Sequence, residues 1–155
     1  MSARLKDRLA EFRPMGDADI AEIAAIERSA YTHPWTANLF VDCLRAGYSC
    51  WVLKLHGAII AYGIIAVGAG ECHILNLCVK PEMQNNGYGR AMLEHLLELA
   101  RGHHVDTAFL EVRPSNHAAI RLYEKAGFNE VGMRSNYYPA FVGREDAIIL
   151  ARSLQ

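Results

Sequence analysis

The segment that most constrains this chain is Val79-Lys80-Pro81-Glu82-Met83-Gln84-Asn85-Asn86-Gly87-Tyr88-Gly89-Arg90. An apolar run, Ile74 to Val79, stops at Pro81, and a helical repeat begins directly after the two glycines. A strand, a glycine turn and a helix in that order leave the first N–H groups of the helix unpaired. Those groups point, with the positive end of the dipole, at whatever lies in the turn. Gly87 and Gly89 let the backbone approach a ligand closely. Gln84, Asn85, Asn86, Gly87, Tyr88, Gly89 and Arg90 therefore form a candidate anion site, suited to a phosphate or pyrophosphate. No Gly-Lys-Ser/Thr follows, and the third glycine of the dinucleotide fingerprint is missing, so neither of those phosphate loops is present. Taken alone, the motif equally describes a tight turn with no ligand.

The rest of the chain reads as one mixed unit. Leu9–Met15 is expected to be a first strand. Asp19-x-x-Glu22 reads as a capping box opening a helix, with Ile20, Ile23, Ala24 and Ile26 at helical spacing and an end near Ala30. Thr36 is a candidate N-cap for a short helix to Arg45. Cys50–Leu55 and Ala58–Val67, joined by His56-Gly57, read as a hairpin, and His73–Val79 continues an antiparallel meander. After the glycine turn, Leu93, Leu96, Leu97 and Ala100 form one helical face, with Arg90/Glu94 and Glu98/Arg101 on the wet side. Thr107–Val112 is the next strand. Ser115 is expected to cap a helix that Gly127 closes, and Phe128–Met133 and Ala147–Ala151 are the last strands. The order β-α-α-β-β-β-α-β-α-β-β predicts a single domain over residues 1–155 of α/β (α+β) class, a mixed sheet with helices on its faces, with residues 1–8 as an N-terminal extension.

Composition narrows the partners. A net charge of −1 without a basic run argues against nucleic acid, which needs clustered cations. No segment reads as a secretion signal or a membrane span, so a cytoplasmic protein is expected. Cys43, Cys50, Cys72 and Cys78 lie in apolar segments without a Cys-x-x-Cys pair, which reads as four buried thiols and no metal site. His103-His104 reads as a surface turn.

Three local patterns together resemble the Gcn5-related N-acetyltransferase (GNAT) family. They are Gln84-x-x-Gly87-x-Gly89, Leu110-Glu111-Val112-Arg113-x-Ser115-Asn116-x-x-Ala119, and Leu122-Tyr123-x-x-x-Gly127-Phe128. Pro34-Trp35-Thr36, Asn76-Leu77-Cys78-Val79, Asn136-Tyr137-Tyr138-Pro139 and Gly143-Arg144-Glu145-Asp146-Ala147 resemble the RimI-type subgroup. Enzymes of that subgroup acetylate the N-terminal alanine of a small-subunit ribosomal protein. The similarity runs from about Phe12 to Ala151. It implies the acyl-CoA N-acyltransferase fold, acetyl-CoA as co-substrate without a metal, and a protein N-terminus as acceptor; a monomer is expected. It makes Gln84–Arg90 the pyrophosphate loop and Asn116 a coenzyme contact. The strand end Leu77, Cys78 and Val79 would then hold the pantetheine arm through backbone groups, one N–H polarising the thioester carbonyl. One departure stands out. Asn85 and Asn86 occupy places where many relatives carry Arg or Lys, keeping donors but losing charge that Arg90 partly replaces.

Acetyl transfer to an amine needs a neutral amine, a stabilised oxyanion and a protonated leaving thiolate. Glu111 is a candidate base, since a lone carboxylate in an apolar strand takes up a proton more readily as water is removed. An ion pair with Arg113 or another cation is its alternative. Tyr123, on one helical face with Asn116, is a candidate acid; packing against the sheet is the alternative. The resemblance gives both residues those catalytic roles. His73 is a rival base, and Cys78 is not read as a nucleophile. Near pH 7.5 roughly a third of α-amines are neutral against about a tenth of a per cent of lysines, so one tuned carboxylate suffices for an N-terminus. Trp35, Tyr137 and Tyr138 are candidates to flank a peptide, and Glu145 and Asp146 to attract a basic one. A related acetyltransferase for another N-terminus, a lysine or a small amine, and a non-catalytic coenzyme A sensing module, stay open on sequence alone.

Overall fold

The computed structural model describes residues 9–155; the expected extension at 1–8 lies outside them. The elements are β1 (Ala10–Pro14), α1 (Ile20–Ala30), α2 (Ala37–Arg45), β2 (Ser49–Leu55), β3 (Ala58–Gly68), β4 (Glu71–Val79), α3 (Tyr88–Gly102), β5 (Thr107–Val112), α4 (His117–Lys125), β6 (Asn129–Pro139) and β7 (Arg144–Ser153). They build one seven-stranded sheet in the order β1-β2-β3-β4-β5-β7-β6. Every neighbouring pair is antiparallel except β4 and β5. The expected mixed sheet, meander and element order are those observed.

Each face of the sheet carries its own apolar cluster. Under α3, Met92, Leu93, Leu96, Leu97 and Ala100 pack on Ile65, Cys72, Ile74, Leu110 and Leu150. Under α1 and α2, Ile23, Ile26, Phe40 and Cys43 pack on Cys50, Val52, Tyr62, Ile64 and Cys78. All four thiols are free and buried, as the apolar segments imply. Burial pushes Cys50, Cys72 and Cys78 up to about 11, so they stay protonated. Gly63 explains itself by proximity: a Cβ there would stand 2.6 Å from Leu96 Cδ1 and 3.1 Å from Met92 Cγ, so α3 rests on a glycine.

Three local expectations need correction. Asp19 does not pair with Glu22; its carboxylate accepts from Gly16 N (2.8 Å), while Glu22 reaches β3 and accepts from Ile59 N (2.8 Å). The cap of α4 is Asn116, whose Oδ1 accepts from Ala119 N (3.2 Å), while Ser115 is drawn to Glu145 through both its hydroxyl and its N–H (2.9 Å). β6 does not stop at Met133. A register shift between Arg134 and Tyr138, with Asn136 at φ +52°, absorbs the polar run Arg134-Ser135-Asn136, and the strand continues through Tyr137-Tyr138-Pro139. Thr36 does cap α2, accepting from Leu39 N. Among the described residues no helix is long and apolar enough to cross a membrane.

His95 on α3 lies in an aromatic slot, its ring 4.1 Å from that of Phe12 and parallel to it, and 4.5 Å from that of Trp51, edge-on. Its Nε2 is buried without a hydrogen-bond partner among the described residues, and burial lowers its pKa. The unfolded chain takes up this proton at about 6.5, above the folded value, so over that window stability rises with pH. Stability should therefore fall as the pH drops through about 6.5 and level off below the folded value. Thermal unfolding between about pH 7.5 and 5 should show a flatter slope in His95→Leu than in wild type. Equal slopes would assign the dependence elsewhere.

Candidate active site

The site begins where two parallel strands separate. β4 and β5 are paired only from Glu71 with Thr107 to Ile74 with Leu110. At that point β4 carries a bulge, since Ile65 pairs with Ile74 and Ile64 with Asn76, leaving Leu75 over. The extra residue reverses the faces of the strand: Cys72 and Ile74 lie under α3, whereas Cys78 lies under α1 and α2. Beyond the bulge a groove of about 590 Å³ opens, lined on one side by Leu77, Cys78 and Val79 of β4 and on the other by Arg113 and Asn116, which follow β5, and by Tyr123 of α4. The backbone of β4 is met there by side chains instead of a strand: Leu77 O accepts from Tyr31 Oη and Val79 O from Gln84 Nε2, each at 3.1 Å.

The glycine turn closes one end of this groove. Gly87 sits at φ +84° as the N-cap of α3, and Asn85 at φ +64°, a conformation asparagine tolerates. The helix ladder opens there with Ala91 N donating to Gly87 O (3.0 Å), and the N–H groups of Gly89 and Arg90 precede it at the mouth. A Cβ at Gly89 would stand 3.4 Å from Leu122 and 3.5 Å from Val79, so a side chain would fill this cradle. Gln84, Asn85, Gly87, Tyr88, Gly89 and Arg90 line the groove. Asn86 does not: its Nδ2 donates to Met83 O (3.1 Å) and Gln84 O (3.0 Å), bracing the turn. Arg90 donates from Nε to Glu94 (3.0 Å), the expected i, i+4 pair, so its charge is tethered along the helix.

A second cavity of about 350 Å³ continues from the groove and brings together Glu111, Asn116, Tyr123, Trp35 and Tyr138. β5 alternates as expected, with Ala108, Leu110 and Val112 buried and Phe109 and Glu111 on the open face. Glu111 Oε2 is buried and accepts no hydrogen bond among the described residues; it pairs with Arg134, Nε 3.5 Å away. Arg113, the partner weighed on sequence, turns elsewhere: it donates to Pro139 O (2.7 Å) and Glu145 Oε1 (3.2 Å) and covers the Tyr138 ring at 4.4 Å. Tyr123 is 7% exposed and edge-on to Phe128 at 5.7 Å. Burial pushes its hydroxyl well up, with the nearby Tyr138 and Cys78 adding to the shift. Burial and the negative charge of Glu111 likewise push Tyr138 up to about 12.

Past Glu111 a third cavity of about 370 Å³ is walled by Trp35, Phe109, Tyr137 and Tyr138. His73 lies here, 3.3 Å from Glu71 and stacked on Phe109, and does not line the cavity that holds Tyr123. Glu145 and Asp146 both accept hydrogen bonds from the protein itself. Hydrogen bonds from Ser115 and Arg113 hold Glu145 below the usual carboxylate range, and Asp146 accepts from Asn136 N (2.8 Å). Among the described residues no three His, Cys, Asp or Glu side chains are grouped to hold a metal ion.

One participant escaped the sequence reading. Glu27, 2% exposed, borders the second cavity and accepts from Tyr62 Oη, Asn76 Nδ2 and Trp35 N. The available signal was its position on the apolar stripe of α1, seven residues after Ile20 and four after Ile23.

Comparison with known proteins agrees with this geometry. Residues 18–128 match the model of the acetyltransferase (GNAT) family. The chain is 43% identical over 133 residues to the [ribosomal protein bS18]-alanine N-acetyltransferase of Escherichia coli K12, covering 86% of this chain and 90% of that protein. The crystal structure of the corresponding E. coli enzyme superposes with a TM-score of 0.88 at 39% identity over 94% of both chains. That of Ard1 from Thermoplasma volcanium gives 0.87 at 27% identity over 95% of this chain and 99% of that one. A groove built at a strand parting and a match over most of the sequence lead to one conclusion: the chain belongs to the GNAT acetyltransferase family and has its fold.

Proposed function

We propose that this protein transfers the acetyl group of acetyl-CoA to the N-terminal α-amine of a protein, an alanine on a ribosomal protein, with Glu111 as general base and Tyr123 as general acid. The observation that carries this reading is that Glu111 and Tyr123 share one cavity, which opens into the groove headed by the glycine turn. The donors fit the coenzyme: N–H groups of Gly89 and Arg90 at the glycine turn suit its pyrophosphate, and Asn116 and the β4 edge at Leu77, Cys78 and Val79 suit its arm. When bound, acetyl-CoA supplies an activated thioester. Glu111, whose Oε2 has no hydrogen-bond partner among the described residues, takes the proton of the incoming amine. A backbone N–H on the unpaired edge of β4 stabilises the developing oxyanion. Tyr123, held protonated by burial, gives its proton to the departing sulfur. Trp35, Tyr137 and Tyr138 form the walls on the acceptor side.

The test is acetyl-CoA turnover with a hexapeptide beginning Ala-Arg-Tyr, beside its N-blocked form and a lysine-containing control. Acetylation of the free N-terminus alone is expected. Coenzyme binding without turnover on any of the three would overturn the proposal in favour of a small-amine acceptor or a sensing role.

A further inference from the structure

We infer that Glu27 is a positioning residue for the acceptor side of the site, one carboxylate that sets the Trp35 wall relative to the parted strand β4. The inference rests on the acetyl-transfer reading above. An isolated carboxylate is among the costliest groups to bury, and Glu27 is offset by three donors from three different elements. Tyr62 Oη (2.6 Å) comes from β3, Asn76 Nδ2 (3.2 Å) from β4, and Trp35 N (3.0 Å) from the loop between α1 and α2. Two of these contacts fix the carboxylate to the sheet. The third hangs the loop from it.

The places these contacts land matter. Asn76 directly follows the bulged Leu75, where β4 leaves β5. Tyr31, one turn after Glu27, donates to Leu77 O at the next residue of the same strand edge. The end of α1 thus holds β4 at two successive residues beside the groove, and through the same carboxylate it holds the backbone of Trp35. Trp35 in turn lines both cavities that contain Glu111. Oε2 accepts the loop N–H and Oε1 accepts both sheet donors, so an amide in place of the carboxylate can serve the sheet through its oxygen. It would then turn an N–H₂ donor towards the Trp35 N–H. Such a change releases the loop and spares the sheet.

Glu27→Gln is therefore expected to raise KM for the alanine-initiated hexapeptide about tenfold or more, with kcat and coenzyme A affinity little changed, since small misplacements of a positioning wall have effects of this order. In a Trp35→Ala background the same substitution should add nothing to KM, because its route runs through that loop. Unchanged KM in a folded Glu27→Gln protein overturns the inference. So do joint losses of coenzyme affinity and thermal stability with additive penalties in the double variant, the pattern of a merely structural group. Should Glu27→Gln fail to fold, Glu27→Asp, which keeps the charge and shortens the reach, carries the same comparison. If the wild type leaves the hexapeptide unacetylated, the activity reading fails, and amide hydrogen exchange decides the positioning separately. Exchange at Trp35 N about tenfold faster than in wild type, with β4 unaffected, supports it; unaltered exchange overturns it.

Discussion

Glu111→Gln is expected to lower kcat by roughly 10²–10⁴-fold while coenzyme A affinity and thermal stability stay close to wild type. The substitution keeps the shape of the side chain on the open face of β5 and removes its capacity to take a proton. Its ion pair with Arg134 is long, at 3.5 Å, and the arginine side chain is 56% exposed, so losing it costs little stability. The coenzyme groove is walled by the other end of β4 and by α4, away from this change. Steady-state rates with the hexapeptide, beside coenzyme titration by calorimetry, separate the two effects. His73→Gln is the companion variant: it should keep the wild-type rate, since His73 is paired with Glu71 and lies outside the cavity that holds Tyr123. A loss in His73→Gln with full activity in Glu111→Gln would move the base to His73.

Tyr123→Phe should slow acetyl transfer by a comparable factor, roughly 10² or more, again with the coenzyme bound normally. The phenylalanine keeps the ring that packs edge-on to Phe128, so the α3-side core should be undisturbed. Only the hydroxyl is lost, and burial keeps that hydroxyl protonated across the working pH range. An acid of this kind is always loaded with its proton, so its removal should lower the whole pH–rate profile without shifting its acidic limb. Single-turnover rates across pH are the measurement. A profile of unchanged height would leave the departing sulfur to be protonated by water.

The long apolar elements were legible because their periodicity is strong: the α3 stripe, the β5 alternation and the β2–β3 hairpin are where Leu93, Leu96, Ala108, Leu110 and His56-Gly57 put them. The glycine turn was legible through its spacing. What the sequence concealed depends on partners far along the chain. Nothing local marks Leu75 as a bulge; the extra residue arises in its pairing with β3 and decides that Cys78 packs under α1. Ser115 and Asn116 are both good caps, and the choice falls to Asn116 where Glu145, thirty residues on, engages the Ser115 hydroxyl and N–H together. Glu27 reads as a polar residue on a helix until Tyr62 and Asn76 are folded around it. Arg113 likewise reads as a neighbour for Glu111 until the β6–β7 hairpin offers it Glu145, Pro139 O and the Tyr138 ring.

The short pairing of β4 with β5 has a consequence for how the domain holds together. Sheets are ordinarily most cohesive at their centre, yet here the central seam is four residue pairs long, joining a four-stranded panel to a three-stranded one. The seam alone gives little backbone cohesion. What makes the panels one cooperative body is the apolar layer beneath α3, which draws Leu53, Ile60 and Ile65 from one panel and Leu110, Leu150 and Leu154 from the other. Local opening in such a body is easiest at the seam, where protection comes from side chains more than from strand partners. The protein has placed its cleft along its own line of weakness, so that the same economy of backbone bonds that makes room for a guest makes α3 the beam that spans the gap.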